Sequence, residues 1–481
     1  MMPLFGIAAI IALGYGVLWL IRIRPPLFEA IALGWLVGSG LVTSILFWFG
    51  IMGWWASLYL ILLLLFVRNI PLKFSLPHHS PVKEGVVSEQ AIKVGILPSK
   101  ILLLFWVLIG IQILIAFAYI YWLPTIYWDA FDFWHLKAKF VLEEGSLGLN
   151  GDTLWMLGGR KQHYPLHMPI LKGLVCYLKG GWNDPWALGM DLLSFCSFLV
   201  LAYRWLSSTS GRDAATTAVY IITSVPIVEI HLCAGYSDLM VAIYLASSAL
   251  SWDRWRTGFG FQYLVLSASL IAFGAWTKND VIALYLPIFL IATYMTGRWK
   301  GLITFLTAVL FLLLPWISFK YFMVLGYVPN PGEAYFQFHS EALPLILKSF
   351  FFYGNFGVFW LFFFAVLFLK PLKQDFAGLL LLGIGCLAAV LAVFTFTPVF
   401  TFLKNNMTFQ RSLLQVFPLL VIGSVSKVFN ILIARKITKQ VEEVIRSPGQ
   451  VPLTHGSNFL HMVVKDLSFI LSRLLIKRKC T

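Results

Sequence analysis

ILLLFWVLIGIQILIAFAYIYWL, residues 101–123, runs directly into PTIYWDAFDFWHLKAKFVLEEGSL, residues 124–147. The first segment carries no charge and exceeds the roughly 20 residues that cross a bilayer as a helix. The second crowds Asp129, Asp132, His135, Lys137 and Lys139 among tryptophans and phenylalanines. Asp129 and Asp132 are three apart, so a helix beginning near Trp128 sets both on one face. Lys139 and Glu143 continue that face, interrupted by Leu136, while Phe131, Trp134, Ala138 and Val141 take the other side. A span followed by a charged helix lying apolar side down in the membrane interface is the expectation.

The rest of the chain fits that reading. Of 481 residues, 59% are hydrophobic and 12% charged, where soluble domains carry about 25% charged residues. Apolar runs occupy 3–21, 27–48, 51–67, 101–123, 186–206, 214–232, 238–252, 260–276, 281–296, 302–324, 350–369, 376–396 and 411–430. The expected fold is all-α, a polytopic transmembrane bundle of about 13 spans with outer interfacial helices. The first run lacks a basic stretch before it and a small-residue cleavage site after it, so it reads as a retained span. Residues 1–100 then form additional N-terminal spans and a loop, 101–430 the main module with its 124–185 loop, and 431–481 a tail. In the tail RSPGQVP (446–452) reads as a linker. Leu460, Val463, Val464, Leu467, Leu471 and Leu474 follow helical spacing, as an amphipathic helix on the inner surface or on a partner.

Lysine and arginine collect in alternate loops: Arg22 and Arg24; Arg68, Lys73, Lys83, Lys93 and Lys100; Arg204 and Arg212; Arg254 and Arg256; Arg298 and Lys300; Lys370 and Lys373; Arg435, Lys436 and Lys439. Placing these on the cytoplasmic side satisfies the positive-inside rule, with the N-terminus outside and the C-terminus inside. The net charge of +15 thereby suits the anionic inner leaflet. Nucleic acid is excluded as a partner, because no soluble module offers a basic face. Cys176, Cys196, Cys233, Cys386 and Cys480 show no ligand spacing and read as small apolar residues.

This orientation puts every unusual polar cluster on the outer face. HMPILKGLVCYLKG, 167–180, is apolar but short and carries Lys172 and Lys179, so it reads as an outer interfacial helix. HYPLHMP, 163–169, spaces His163 and His167 as metal ligands on a helix would be. Pro165 and Pro169 oppose a regular helix, which favours a kinked segment presenting Tyr164 and a histidine to a cavity. Asp238, in CAGYSDLM, either caps a helix or serves as a second acid or metal ligand. Lys278, Asn279 and Asp280 form the turn WTKND, which is either a charged loop or an ammonium site for phosphate oxygens. Lys404 and Arg411, in LKNNMTFQRSLLQVFP, invite the same phosphate reading, with snorkelling as the alternative. His135 and Lys137 complete the candidate binding set. A divalent metal is an option that the sequence leaves open.

The order of these motifs resembles the C-type (GT-C) superfamily of integral membrane glycosyltransferases. It is closest to the branch similar to protein O-mannosyltransferases and lipid A aminoarabinose transferases. WDAFDFWHLKAK followed by HYPLHMP resembles an uncharacterised bacterial group within it, over roughly residues 101–430. The resemblance implies a polyprenyl-phosphate-linked sugar donor, an extracytoplasmic acceptor (lipid, glycan or protein) and the bacterial inner membrane. It implies a general base matching Asp129, a second acid matching Asp238, and phosphate-holding residues matching Lys278 and Arg411. The acidic pair of many members is here Asp129-Ala130, so Asp132 or Asp238 supplies any second carboxylate. Sugar transfer with an anionic leaving group needs one carboxylate base and cations at the phosphate, and direct displacement inverts the anomeric centre. A transporter or flippase of a lipid-linked or anionic solute is the alternative, and would need charges within spans and broken helices near the midplane. A non-catalytic scaffold for envelope synthesis is the third reading.

Overall fold

The structure is a computed structural model and describes residues 2–52, 95–144, 164–322, 336–369, 377–405 and 407–446. Among them the regular structure is helical throughout, with no strand. The chain divides into two units, Met1–Asn430 and Ile431–Thr481. In the second, residues 431–446 are described and are helical; the amphipathic helix expected at 460–474 lies outside the described residues. In order the helices are α1 (Met2–Leu20), α2 (Leu27–Met52), α3 (Ser99–Trp122), α4 (His135–Glu144), α5 (His167–Lys179), α6 (Asp184–Thr209), α7 (Arg212–Ser224) and α8 (Pro226–Ala234). There follow α9 (Asp238–Arg256), α10 (Phe261–Thr277), α11 (Leu286–Phe322), α12 (Ala342–Phe351), α13 (Phe359–Phe368), α14 (Ala377–Phe396) and α15 (Met407–Arg446).

Seven helices among the described residues are long and apolar enough to cross a membrane, or eight if α7 and α8 count as one bent span. The chain is therefore a membrane protein by length and composition. Helix α3 shows why lipid is needed: Leu103, Leu114, Ile115 and Phe117 all lie exposed along it, and water would not tolerate that much uncovered apolar surface.

The structure differs from the thirteen runs at identifiable places. The run 51–67 lies almost wholly outside the described residues. Pro226 breaks the run 214–232: it forces Val225 into extended geometry, and α7 and α8 meet at a bend of 64°. Glycines 354 and 357, both at positive φ, turn the chain inside 350–369, so the helix there starts only at Phe359. Conversely, the runs 281–296 and 302–324 are joined in α11, whose helical geometry breaks at Arg298 (φ 51°). Beyond that break Trp316 Nε1 donates to Asn279 Oδ1 at 3.3 Å. The chain thus returns to the end from which it left.

Helix α9 is the axis. It is buried continuously from Asp238 to Asp253, which is why it shows no amphipathic stripe. Ala242, Ala246, Ser247, Ser248 and Ala249 keep its surface thin enough for neighbours to approach closely. At 1.5 Å per residue α9 is about 27 Å long, close to the thickness of a bilayer core. Its two ends differ. At the end of Arg254 the guanidinium pairs with Glu29 of α2, Arg256 pairs with Asp253, and Trp255 lies against the Arg298 turn through Gly297 and Gly301. The Asp238 end carries the candidate site.

Two helices expected at the interface behave otherwise. Helix begins at Trp128, as expected, but a π turn over Ala130–Trp134 shifts its register. Phe131 is 67% exposed, whereas Trp134, His135, Lys137 and Ala138 are buried, so this segment packs into the protein and does not simply lie on a surface. Helix α5 matches the 167–180 segment in extent but is buried over most of its length, including Lys172, and so does not rest on a surface.

Candidate active site

Asp238 follows a left-handed turn at Gly235 (φ 70°). Glycine is required there twice over: L side chains avoid that backbone region, and a Cβ would sit 2.6 Å from His135 Nε2. Lys278 leaves α10 in extended geometry (φ −154°), which swings its side chain back toward Asp238. Arg411 stands one turn into α15.

These three meet. Lys278 Nζ is 2.9 Å from Asp238 Oδ1, and Gln415 Nε2 donates to the same oxygen at 2.7 Å. Arg411 Nε and Nη2 each reach Asp238 Oδ2 at 2.7 Å. Each oxygen of a fully buried carboxylate thus holds two donors, as a charge removed from water requires. Tyr285 Oη donates to Gln415 Oε1 at 2.7 Å and fixes the amide. The remaining guanidinium nitrogen, Nη1, pairs with Asp129. Asp280 Oδ2 closes the group on Lys278 at 2.8 Å. The Arg411 guanidinium also lies 4.6 Å from the centre of the Tyr236 ring, a cation–π contact. Burial alone would lower the Lys278 ammonium, but Asp238 and Asp280 outweigh it and the net shift is upward, so Lys278 stays charged.

Beside this group lies a cavity of about 190 Å³, walled by Tyr127, Ile227, Ile230, Tyr236 and Met407, with Arg411 among its lining residues. A cavity of this kind accepts an apolar body whose anionic end meets the guanidinium.

Asp129, Asp238, Lys278, Asp280 and Arg411 are therefore brought together. Lys278 and Arg411 meet, and the group that they share is Asp238. Tyr164 packs on Phe133 and Trp134, at 5.4 and 5.9 Å. Burial raises its hydroxyl, with Lys278 and Arg411 opposing and Asp280 and Asp238 adding, so it lies within electrostatic reach of the cluster. Asn279 serves the fold by holding Trp316.

Other expected residues stand elsewhere. Asp132 lies within the π turn and is exposed. Lys137 is buried with its ammonium 4.2 Å from the Phe133 ring centre. His167 has both ring nitrogens occupied, Nδ1 by Thr43 Oγ1 at 2.7 Å and Nε2 by Tyr244 Oη at 3.2 Å, which leaves no nitrogen for a ligand. Lys404 is exposed and faces Glu341 at 4.0 Å. His163 lies outside the described residues. Among the described residues no three His, Cys, Asp or Glu side chains gather as a metal set, so the option of a divalent ion has no ready ligands there.

His135 belongs to a second buried polar group. Lys172 Nζ contacts Asp191 Oδ2 at 2.8 Å, His135 Nε2 at 3.2 Å and the Gly235 carbonyl at 3.2 Å. Burial, then Lys172 and Lys139, hold the imidazole well below its ordinary range. Neutral His135 accepts from Lys172, and the lysine in turn pins the Gly235 turn that carries Tyr236 and Asp238. This group, with Gln415, Tyr285 and Tyr236, escaped the reading of the sequence. One signal was present for Gln415, which is four residues from Arg411 and so on the same helix face.

The chain matches no protein-family model, and neither a curated protein nor a solved structure matches it.

Proposed function

We propose that the protein is a GT-C-type membrane glycosyltransferase, moving a sugar from a polyprenyl-phosphate donor to an extracytoplasmic acceptor at the bacterial inner membrane. One observation carries the reading. Arg411 links Asp129, just beyond α3, to Asp238 at the head of α9, beside an apolar cavity. The expected base and the expected phosphate holder, 282 residues apart, are in contact. In this reading Arg411 and Lys278 stabilise charge developing on the leaving phosphate. Asp129, with 20% of its side chain exposed, takes the acceptor proton. Asp238 positions both cations and does not itself meet substrate.

The test is release of polyprenyl phosphate from a polyprenyl-phosphate sugar by purified protein supplied with candidate acceptors. Asp129→Asn keeps the shape and lowers turnover by at least about 100-fold. Equal turnover in the variant rejects a base at Asp129.

The transporter reading keeps support from one pair of observations, the 64° bend between α7 and α8 and the buried Lys172–Asp191 pair. Vesicle uptake of the donor with no chemical turnover would favour it.

A further inference from the structure

The site sets three carboxylates, Asp129, Asp238 and Asp280, against two cations, Lys278 and Arg411. It is in anionic excess before any ligand arrives. A phosphate brought to Arg411 adds negative charge to a group that is largely out of water, which is unfavourable unless a carboxylate withdraws. The three carboxylates are not equally held. Asp238 is fully buried with both oxygens doubly bound. Asp280 is held by Lys278, with the Gln415 amide at 3.4 Å. Asp129 is held through Nη1 of Arg411 and is partly exposed. Arg411 is also the charged group lining the cavity, so an anion entering there meets the guanidinium that Asp129 occupies.

We propose that Asp129 and the donor's phosphate compete for one guanidinium position on Arg411, so that donor arrival and release of the base are one event. The inference rests on the glycosyltransferase reading above and adds a regulatory step to it. While it holds the guanidinium, the Asp129 carboxylate is turned to Arg411; once displaced, it is free to accept a proton from the acceptor. The acceptor oxygen then bonds to the anomeric carbon and the acceptor proton passes to Asp129. The bond from that carbon to the phosphate oxygen breaks, and its electron pair stays on the phosphate held by Arg411. The Asp129–Arg411 pair thereby delays transfer of the acceptor proton until a donor displaces it.

The experiment measures binding of a short-chain isoprenyl phosphate to the full-length protein in lipid nanodiscs. Arg411→Gln weakens binding by more than about tenfold, and Arg411→Lys, which keeps the charge but loses the fork, weakens it less. Asp129→Asn and Asp129→Ser both tighten binding by at least about threefold, because the internal competitor is gone. Weaker binding in the Arg411 variants with unchanged or weaker binding in either Asp129 variant overturns the exchange and leaves the phosphate site standing. Unchanged binding in both Arg411 variants overturns the phosphate site itself, and the reading built on it.

Discussion

Asp238 and Asp129 share one arginine yet do different work. Asp238 is fully buried and is the only carboxylate of the described cluster that touches Lys278, Arg411 and Gln415 together. Asp238→Asn leaves the buried Lys278 and the partly buried Arg411 short of their counter-charge, and breaking a buried pair costs about 3–5 kcal/mol. Asp129 is partly exposed, so Asp129→Asn costs at most about 1 kcal/mol. Thermal unfolding in detergent separates them: Asp238→Asn lowers the midpoint clearly and Asp129→Asn barely does. Equal effects would mean that Asp129 is structural. Two histidines add a pH dependence. Burial, then Lys172 and Lys139, hold His135 low, and burial holds His167 at about 3. Unfolded, each titrates near 6.5. Their folded pKa values are depressed, so the unfolded state binds more protons as pH falls through about 6.5, and stability is lost from there down to the folded values. The unfolding midpoint should therefore fall between about pH 7.5 and 5, and His135→Gln should flatten that fall. An unchanged slope would place a charged imidazole in the folded protein.

At the level of elements, the two ends of α9 organise the molecule, one with Asp238 and its cations, the other with Arg254, Arg256 and the Arg298 turn. On the positive-inside expectation the arginine end faces the cytoplasm. In a background without native cysteines, Lys179→Cys should react with an impermeant maleimide from outside and Thr257→Cys only after the membrane is opened. The reverse labelling would put the site on the cytoplasmic side and remove extracytoplasmic transfer. Hydropathy made the helices legible, because apolar runs without charge have few other solutions. Several breaks were less legible. The bend at Pro226 follows from a proline inside an apolar run, yet a kinked span and a broken one read alike in sequence. The π turn at Ala130–Trp134 has no signature in residue type, so the burial of His135 and Lys137 just beyond its start was not legible from helical spacing.

For the whole molecule, the sequence showed which polar residues were out of place in a lipid-embedded chain, and so pointed to Asp129, Asp238, Lys278, Asp280 and Arg411. It did not show that the cations would be saturated by carboxylates, since charge pairing across 173 and 282 residues depends on how the helices pack. Nor did it show Lys172 and Asp191 paired in the core, because a lysine in a short apolar helix reads as an interfacial anchor. The proposal centres on one guanidinium, Arg411, which lines an apolar cavity and pairs with Asp129. The most direct measurement is an experimental structure of the protein with a non-transferable polyprenyl-phosphate sugar. The account predicts the phosphate within about 3 Å of the Arg411 guanidinium, the isoprenyl chain entering the cavity beside Tyr127 and Ile230, and Asp129 turned from Arg411 toward the sugar. A headgroup bound elsewhere, with the Asp129–Arg411 pair intact, would contradict it.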